Sequence, residues 1–405
     1  MSDSSRPRVV IFKKELPEAE RLWGLLQRKG EIYSDQFATP ESPSKAIGRQ
    51  AWAAPAFRSA FAEYDDQEVR RLEALDEVEQ VVDSRTYSIA SDGFATPADS
   101  GQIYSRALRD IGAAAVWEAG FRGRAIKVAV LDTGADDHPD LPIAGGVSMV
   151  PDEPWDDFRD DHGHGTHCAG LLAARHGGLD PRVMGVAPEC ELHIVRVLRK
   201  RPRGLPSGET DWLAGGLLWA GLNNMDVVCM SLSSAADRAD EPPDPELQIV
   251  TDWLTSRGCL VLSAVGNHGR TSAPWVGHPA RCPDVVGVGS VTASGRVVAS
   301  SARGPQSLSR NQSVELTAPG MQALSTWPGD RSWFESGTSV ACALTAGVAV
   351  LVKQKFPDRS PAWIRQRLLE SADDIAPSGF DTPSGFGVVN CRRAVLGASA
   401  QTGNS

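Results

Sequence analysis

The sequence predicts an α/β protein: a parallel sheet with helices on both faces, preceded by a small α+β open sandwich. Three observations predict it. Nearly continuous Val/Ile/Leu runs at residues 126–131, 227–232 and 259–263 read as strands buried on both sides. Helical patterns at 166–174, 210–223 and 245–257 alternate with them, as repeated βα units require. The first 97 residues follow another rhythm, and a stretch rich in Gly, Pro, Asp and Ser at 91–101 sets them apart. The chain divides accordingly into residues 1–97, with a linker running to 102, and residues 103–400.

In the first part, residues 9–13 read as a strand, and 18–29 as a helix carrying Leu22, Leu25 and Leu26, stopped by Gly30. Residues 34–55, rich in Ser, Pro and Ala, read as a loose connection. A strand at 57–64 follows, then a helix at 66–75 with Val69, Leu72 and Leu75 on one side and Asp65 or Asp66 as its cap. Residues 78–82 alternate as a strand does, completing a β-α-β-α-β open sandwich. In the second part further strands are expected at 193–198 and 285–291, and helices at 344–352 and 361–371. In sheets of this kind the working site lies beyond the carboxyl ends of the strands.

Composition excludes several classes. Lys plus Arg number 41 against 51 Asp plus Glu, a net charge of -10, which disfavours sequence-independent nucleic-acid binding. The basic run Arg199-Lys200-Arg201-Pro202-Arg203 reads as a solvated loop. No window approaches the roughly 18 uninterrupted apolar residues of a membrane span. The polar start, residues 1–8, lacks the features of a secretory signal. Seven scattered cysteines without CxxC spacing argue against both a disulfide framework and a structural zinc site. A cytoplasmic, reducing location is expected, with export by a non-classical route left open.

The chemistry centres on Ser339, which follows Gly337-Thr338 and opens an apolar run to Val352 that reads as a buried helix. A hydroxyl at a helix N-terminus sits near unpaired N–H groups, a setting that suits a nucleophile whose product is an oxyanion. Asp132 ends the strand at 126–131, where its carboxylate can accept from an imidazole. His164 stands between two glycines in Asp160-Asp161-His162-Gly163-His164-Gly165-Thr166-His167, with no metal spacing; His167 reads as structural. Asn267 follows another strand, at 259–263, and its amide can bind a negative oxygen. Singly each has a plain alternative: Ser339 an N-cap, Asp132 and Asn267 turn residues. Together, in the order Asp132, His164, Asn267, Ser339 and each at an element's end, they form one signal.

Residues 103–396 resemble the subtilisin-like serine proteases, the subtilases or peptidase S8 family. The matching stretches are Val128-Ala129-Val130-Leu131-Asp132-Thr133-Gly134, His164-Gly165-Thr166-His167-Cys168-Ala169-Gly170, Gly185-Val186-Ala187-Pro188, Met230-Ser231-Leu232, Gly266-Asn267, Ala318-Pro319-Gly320 and Gly337-Thr338-Ser339. The resemblance implies a three-layer subtilisin-like fold and a serine endopeptidase. Asp132 would orient the imidazole, His164 act as base and acid, Ser339 attack, and Asn267 with the Ser339 N–H form the oxyanion hole. It further implies that Ser231, Leu232 and Ser233 pair with an extended peptide or protein substrate. Ser263, Ala264, Val265, Val276 and Gly277 would line the pocket before the scissile bond. The acidic cluster Asp156, Asp157, Asp160 and Asp161 either favours basic substrate residues or is a solvated loop.

The first domain resembles the propeptide of this family, an intramolecular inhibitor cut away somewhere in residues 90–105. No cofactor is implied, and calcium-loop signatures are not evident between Ala174 and Gly185, where Asp180 is the only carboxylate. The sequence departs from the family's pattern at Ala343 (Pro), Cys229 (Asn) and Ser233 (Gly), and Cys168 beside the catalytic histidine implies sensitivity to thiol reagents. A peptide ligase or macrocyclase with the same triad, and an inactive peptide-binding module, are the alternative functions.

Overall fold

A computed structural model describes residues 6–12, 52–54, 59–76, 78–94, 106–176, 178–304, 313–375 and 377–397. The expected helix at 18–29 and most of the expected connection at 34–55 lie outside these residues. In the N-terminal unit β1 (Arg6–Phe12), β2 (Trp52–Ala54), β3 (Ser59–Tyr64) and β4 (Val78–Asp83) pair antiparallel in the order β2-β3-β1-β4. Helix α1 (Asp66–Glu73) joins β3 to β4 and opens on a capping box: Asp65 accepts from the Glu68 N–H at 2.7 Å while Glu68 accepts from the Asp65 N–H at 2.9 Å. The last residues of the expected loose connection thus form an edge strand, β2, which the Ser/Pro/Ala composition around it did not signal.

Alternation along β1 explains how this unit sits. Val10 and Phe12 face Leu72 and Val78 under α1, while Val9 and Ile11, with Phe61 of β3, join a core of the larger unit. The open face of the sandwich is therefore covered by the rest of the chain. Two short strands follow, β5 (Thr86–Ile89) and β6 (Gly93–Phe94), in a stretch expected to close the first domain and enter a linker. Both instead complete sheets of the larger unit.

That unit continues through α2 (Arg106–Asp110), α3 (Ala113–Glu118), β7 (Lys127–Asp132), β8 (Ile143–Ser148), α4 (His164–Ala173) and β9 (Glu191–Arg196). Next come β10 (Ser207–Glu209), α5 (Thr210–Leu222), β11 (Val227–Met230), β12 (Leu232–Ser233), α6 (Pro245–Ser256), β13 (Leu260–Ala264) and β14 (Val285–Val291). The chain closes with β15 (Leu316–Pro319), β16 (Ala323–Trp327), β17 (Arg331–Ser336), α7 (Thr338–Lys355), α8 (Pro361–Glu370) and α9 (Cys391–Leu396). Seven strands form a parallel sheet in the order β15-β14-β13-β11-β7-β9-β8.

The continuous apolar strands work by feeding two cores. Val128 and Val130 of β7, with Val227 and Cys229 of β11, enter the core that holds α4 and α7. Their neighbours Ala129, Leu131, Val228 and Met230 enter the core under α5 and α6. A period of two on a doubly covered sheet makes every position apolar. Helix α7 is buried from Thr338 to Val352, all round its circumference, which is why its sequence shows no polar face.

The structure also shows what the pattern did not. Strand β8 carries Gly145 and Gly146, and a Cβ at 146 would lie 2.5 Å from the Ile194 carbonyl, so the close approach that needs glycine hides the strand's periodicity. The β16–β17 hairpin, which no strand pattern marked, turns at Gly329 and Asp330, with φ of 76° and 58°. The expected strand at 227–232 breaks at Ser231, so that β12 leaves the main sheet and pairs with β5.

Candidate active site

Asp132 ends β7, and its Oδ1 accepts from the Thr133 N–H at 2.7 Å and from His164 Nδ1 at 2.8 Å; both side chains are fully buried. His164 is the first residue of α4, and the loop before it is organised by Asp160. One oxygen of Asp160 accepts from the N–H groups of His162 and Gly163 and from Thr133 Oγ1; the other accepts from the N–H and Oγ1 of Thr166. Thr133 Oγ1 in turn accepts from the Gly165 N–H at 2.9 Å. The strand end and the helix start are thereby locked together, which fixes the imidazole against the carboxylate. The glycines flanking His164 serve packing here: a Cβ at Gly163 would meet the Trp327 ring at 2.3 Å, and one at Gly165 the Gly134 carbonyl at 2.1 Å.

Of the acidic cluster, Asp157 pairs with Arg159 and Asp161 with Arg196. With Asp160 taken up by backbone, three of its four members are committed within the fold.

Ser339 lies in the first turn of α7, and Gly337 before it has φ of 145°, a conformation side chains avoid. Its Oγ is buried and makes no hydrogen bond among the described residues, to His164 included. Asn267 stands just past β13, where its Oδ1 accepts from the N–H and Oγ1 of Thr338, at 3.0 and 2.9 Å. That leaves Asn267 Nδ2 buried without an acceptor among the described residues, a donor held in place by the bonds of its partner oxygen. The predicted acid, imidazole, amide and alcohol are all buried at the carboxyl ends of β7 and β13 and the starts of α4 and α7.

The cleft is filled by the chain itself. Strand β5 lies antiparallel between β10 and β12, with Ile89 opposite Leu232 and Ser88 opposite Ser233. The Ala90 N–H donates to the Ser231 carbonyl at 3.2 Å, and the Ser339 N–H donates to the Ala90 carbonyl at 3.0 Å. A Cβ at Gly337 would lie 2.5 Å from that carbonyl oxygen and 2.7 Å from Asn267 Nδ2, so the two converge over Gly337. Beyond Ala90, the Asp92 N–H donates to the Ser336 carbonyl at 2.7 Å and β6 pairs with β17. Residues 88–90 of this chain thus pair with Ser231, Leu232 and Ser233, and residues 86–88 pair with β10 on the other side.

Of the residues expected before the scissile bond, Ala264 shares a core with Ala90, whereas Val265 and Val276 join a separate cluster with Ala280, Ala302 and Val314. Ser263 Oγ donates to the Leu232 carbonyl at 3.4 Å, and Gly277 packs so closely on Ser233 that a Cβ would lie 2.2 Å from its Oγ.

Electrostatics around His164 follow from burial. Desolvation favours the neutral ring, but the Asp132 carboxylate and the Cys168 sulfur, 3.9 Å away, outweigh it and hold the imidazole's pKa well above its ordinary 6.5. His167 Nε2 faces the carbonyls of Ala323 and Trp333, both at 3.1 Å, so it carries the proton; burial pushes this histidine down to about 3 and keeps it neutral. Glu335, which sequence reasoning missed, lies beside it with Oε2 3.9 Å from His167 Nδ1, and burial pushes its carboxyl up to about 7. A second negative charge in the neighbourhood of the Asp132–His164 pair is thus suppressed below neutral pH. Under Ser339, Cys229 Sγ lies 3.9 Å from Cys342 Sγ, so the departure from the family's asparagine is filled by a packed pair of thiols.

Asp132, His164 and Cys168 bring ligand atoms within 4.8 Å of one another, but the atoms concerned are those of the Asp132–His164 hydrogen bond. Asp180, the carboxylate of the 174–185 loop, is paired with Arg182 and accepts from Ser332 at 2.7 Å.

An alcohol beside a backbone carbonyl, with one backbone amide donating to that carbonyl, an unused side-chain amide next to it and an imidazole–carboxylate pair close by, is the equipment of a serine hydrolase that works on extended peptides. The Subtilase family model matches residues 123–387, and the chain belongs to that family. It is 39% identical to Subtilisin BL of Lederbergia lenta over 282 residues, 70% of this chain and 95% of that protein. It is 38% identical to Subtilisin Savinase of the same organism over the same length, and 36% identical to Subtilisin E of Bacillus subtilis (strain 168) over 289 residues, 71% of this chain and 70% of that protein. The protein is a serine endopeptidase of this family, with the α/β fold its strands predicted.

Proposed function

We propose that the protein is a self-inhibited precursor in which Asp132, His164 and Ser339 form the catalytic triad. With its Nδ1 proton held by Asp132, His164 keeps a lone pair on Nε2 to receive the Ser339 proton once the serine side chain turns toward it. Ser339 Oγ then attacks the carbonyl carbon, and the oxygen that becomes negative is held by the Ser339 N–H and Asn267 Nδ2. Collapse expels the amine, which leaves with the proton from His164, and water hydrolyses the resulting ester by the same steps. This chemistry calls for no cofactor.

The observation that carries the reading is the contact between Ser339 and Ala90. Residues 86–90 pair with the cleft as a substrate strand would, and the donor meant for an oxyanion already binds the Ala90 carbonyl. Residues 1–90 would then act as an intramolecular inhibitor whose last bond, Ala90–Ser91, is the cut site. Seven buried, unpaired cysteines support a reducing, cytoplasmic location.

Incubating the purified chain and sequencing the new N-terminus tests this. The expected product begins at Ser91, and a fluorophosphonate labels Ser339. A chain that stays whole removes the precursor reading, an unlabelled Ser339 would leave only a peptide-binding module, and products joined to an added amine would mark a ligase.

A pH profile checks the base. Only a neutral imidazole can take the proton, so kcat/KM should rise as pH rises through the elevated His164 pKa, its half-maximum lying above 6.5. A half-maximum at or below that value would remove His164 from the role.

A further inference from the structure

The strand in the cleft also shows which side chains the cleft accepts. Along β5, Tyr87 and Ile89 point into the protein, and Tyr87 is fully buried. Its hydroxyl donates to Asp244 Oδ2 at 2.9 Å. Asp244 is the N-cap of α6: its other oxygen, Oδ1, accepts from the N–H groups of Glu246 and Leu247, at 3.1 and 3.2 Å. Capping therefore fixes the plane of the carboxylate and leaves Oδ2 directed at the phenol. Asp244 itself is only 3% exposed, so Oδ2 has little access to water.

The surroundings make this a built pocket. Tyr87 shares an apolar core with Trp212, Leu232 and Leu247. The loop leading to Asp244 is held from below by Arg281, fully buried, which donates to the carbonyls of Ala239 and Glu241, each at 2.6 Å. On the same loop Glu241 receives the Arg85 guanidinium, whose Nε also lies 3.7 Å from Asp244 Oδ2. An apolar wall with one fixed carboxylate oxygen at its end fits a ring that bears a hydroxyl. A phenylalanine would fill the space but strand the buried oxygen, and an alanine would leave both space and oxygen unfilled.

We propose that Asp244 is a specificity-determining residue, selecting protein substrates with tyrosine four positions before the scissile bond, with Glu241 favouring arginine two positions further upstream. The inference rests on the endopeptidase reading and on β5 marking the path of a substrate.

The test uses self-processed enzyme from the full chain and peptides carrying the sequence of residues 85–90, Arg-Thr-Tyr-Ser-Ile-Ala, ahead of a fluorogenic amine. Versions with phenylalanine or alanine in place of the tyrosine complete the set. The tyrosine peptide should exceed the phenylalanine peptide in kcat/KM by roughly tenfold to a hundredfold, the range for losing one hydrogen bond to a buried charged group. Asp244→Ser keeps an oxygen to cap α6 and removes the second one, so it should bring that ratio close to unity. Equal rates for tyrosine and phenylalanine in the wild type would overturn the proposal without any variant, as would a ratio untouched by Asp244→Ser. If none of the peptides is cut while casein is degraded, the pocket assignment falls and the protease stands. If casein also survives and a fluorophosphonate leaves Ser339 unmodified, the endopeptidase reading falls and takes the pocket with it.

Discussion

Ser339→Ala is expected to lower kcat for peptide hydrolysis on the order of 10⁶-fold, the loss known for removal of the nucleophile from a subtilisin. The same variant should remain a single chain of 405 residues after long incubation, where the wild type releases a fragment beginning at Ser91. The fold should hardly notice the change. Ser339 Oγ is buried and makes no hydrogen bond among the described residues, so its removal strands no partner. What remains is the backbone N–H at position 339 and the Asn267 amide, which sustain a residual rate above that in water. Intact-mass measurement and a chromogenic peptide assay read the two effects separately. Self-cutting by the variant would place the nucleophile elsewhere.

Asp132→Ala should cost on the order of 10⁴-fold in kcat, with substrate binding much less affected. Oδ1 of Asp132 takes two donors at once, the Thr133 N–H and His164 Nδ1, in a setting without water access. Without it the ring is free to move its proton to Nε2, the atom that must receive the proton from Ser339. The imidazolium formed during attack also loses the carboxylate hydrogen-bonded to it. A second consequence follows from the sign of the electrostatics. Asp132 raises the His164 pKa, so its loss should move the alkaline-rising limb of the pH profile toward lower pH. A variant with unchanged limb and a loss below tenfold would exclude Asp132 from orienting the base.

Much of this is legible in the sequence alone. Hydrophobic runs at 126–131, 227–232 and 285–291 marked strands of the main sheet because burial on both faces leaves no polar positions to confuse the pattern. The end of the first of those runs marked Asp132 as a candidate, the end of the run at 259–263 marked Asn267, and the glycine-bracketed histidine and Gly337-Thr338-Ser339 marked the rest. Less visible were features defined by partners distant in sequence. Asp160 read as one of four acids in a loop, yet it ties Thr133 to the start of α4 through five hydrogen bonds. Glu335 belongs to no motif, and the β16–β17 hairpin sets it against His167. Asp244 lies just before the helix expected at 245–257, and that position says nothing of where the second oxygen of its carboxylate points.

By itself the sequence determined the alternating strands and helices of the covered parallel sheet and the candidate groups at 132, 164, 267 and 339, because each depends on local periodicity or a short motif. Tertiary structure alone decided that residues 86–90 lie between β10 and β12, that Ala90 rather than another residue of the 90–105 stretch meets the Ser339 N–H, and that Tyr87 meets Asp244. The physical reason is that strand pairing is made by backbone groups every residue possesses. No local pattern can name the edge a segment will join until the fold has left one edge, and one buried oxygen, without a partner.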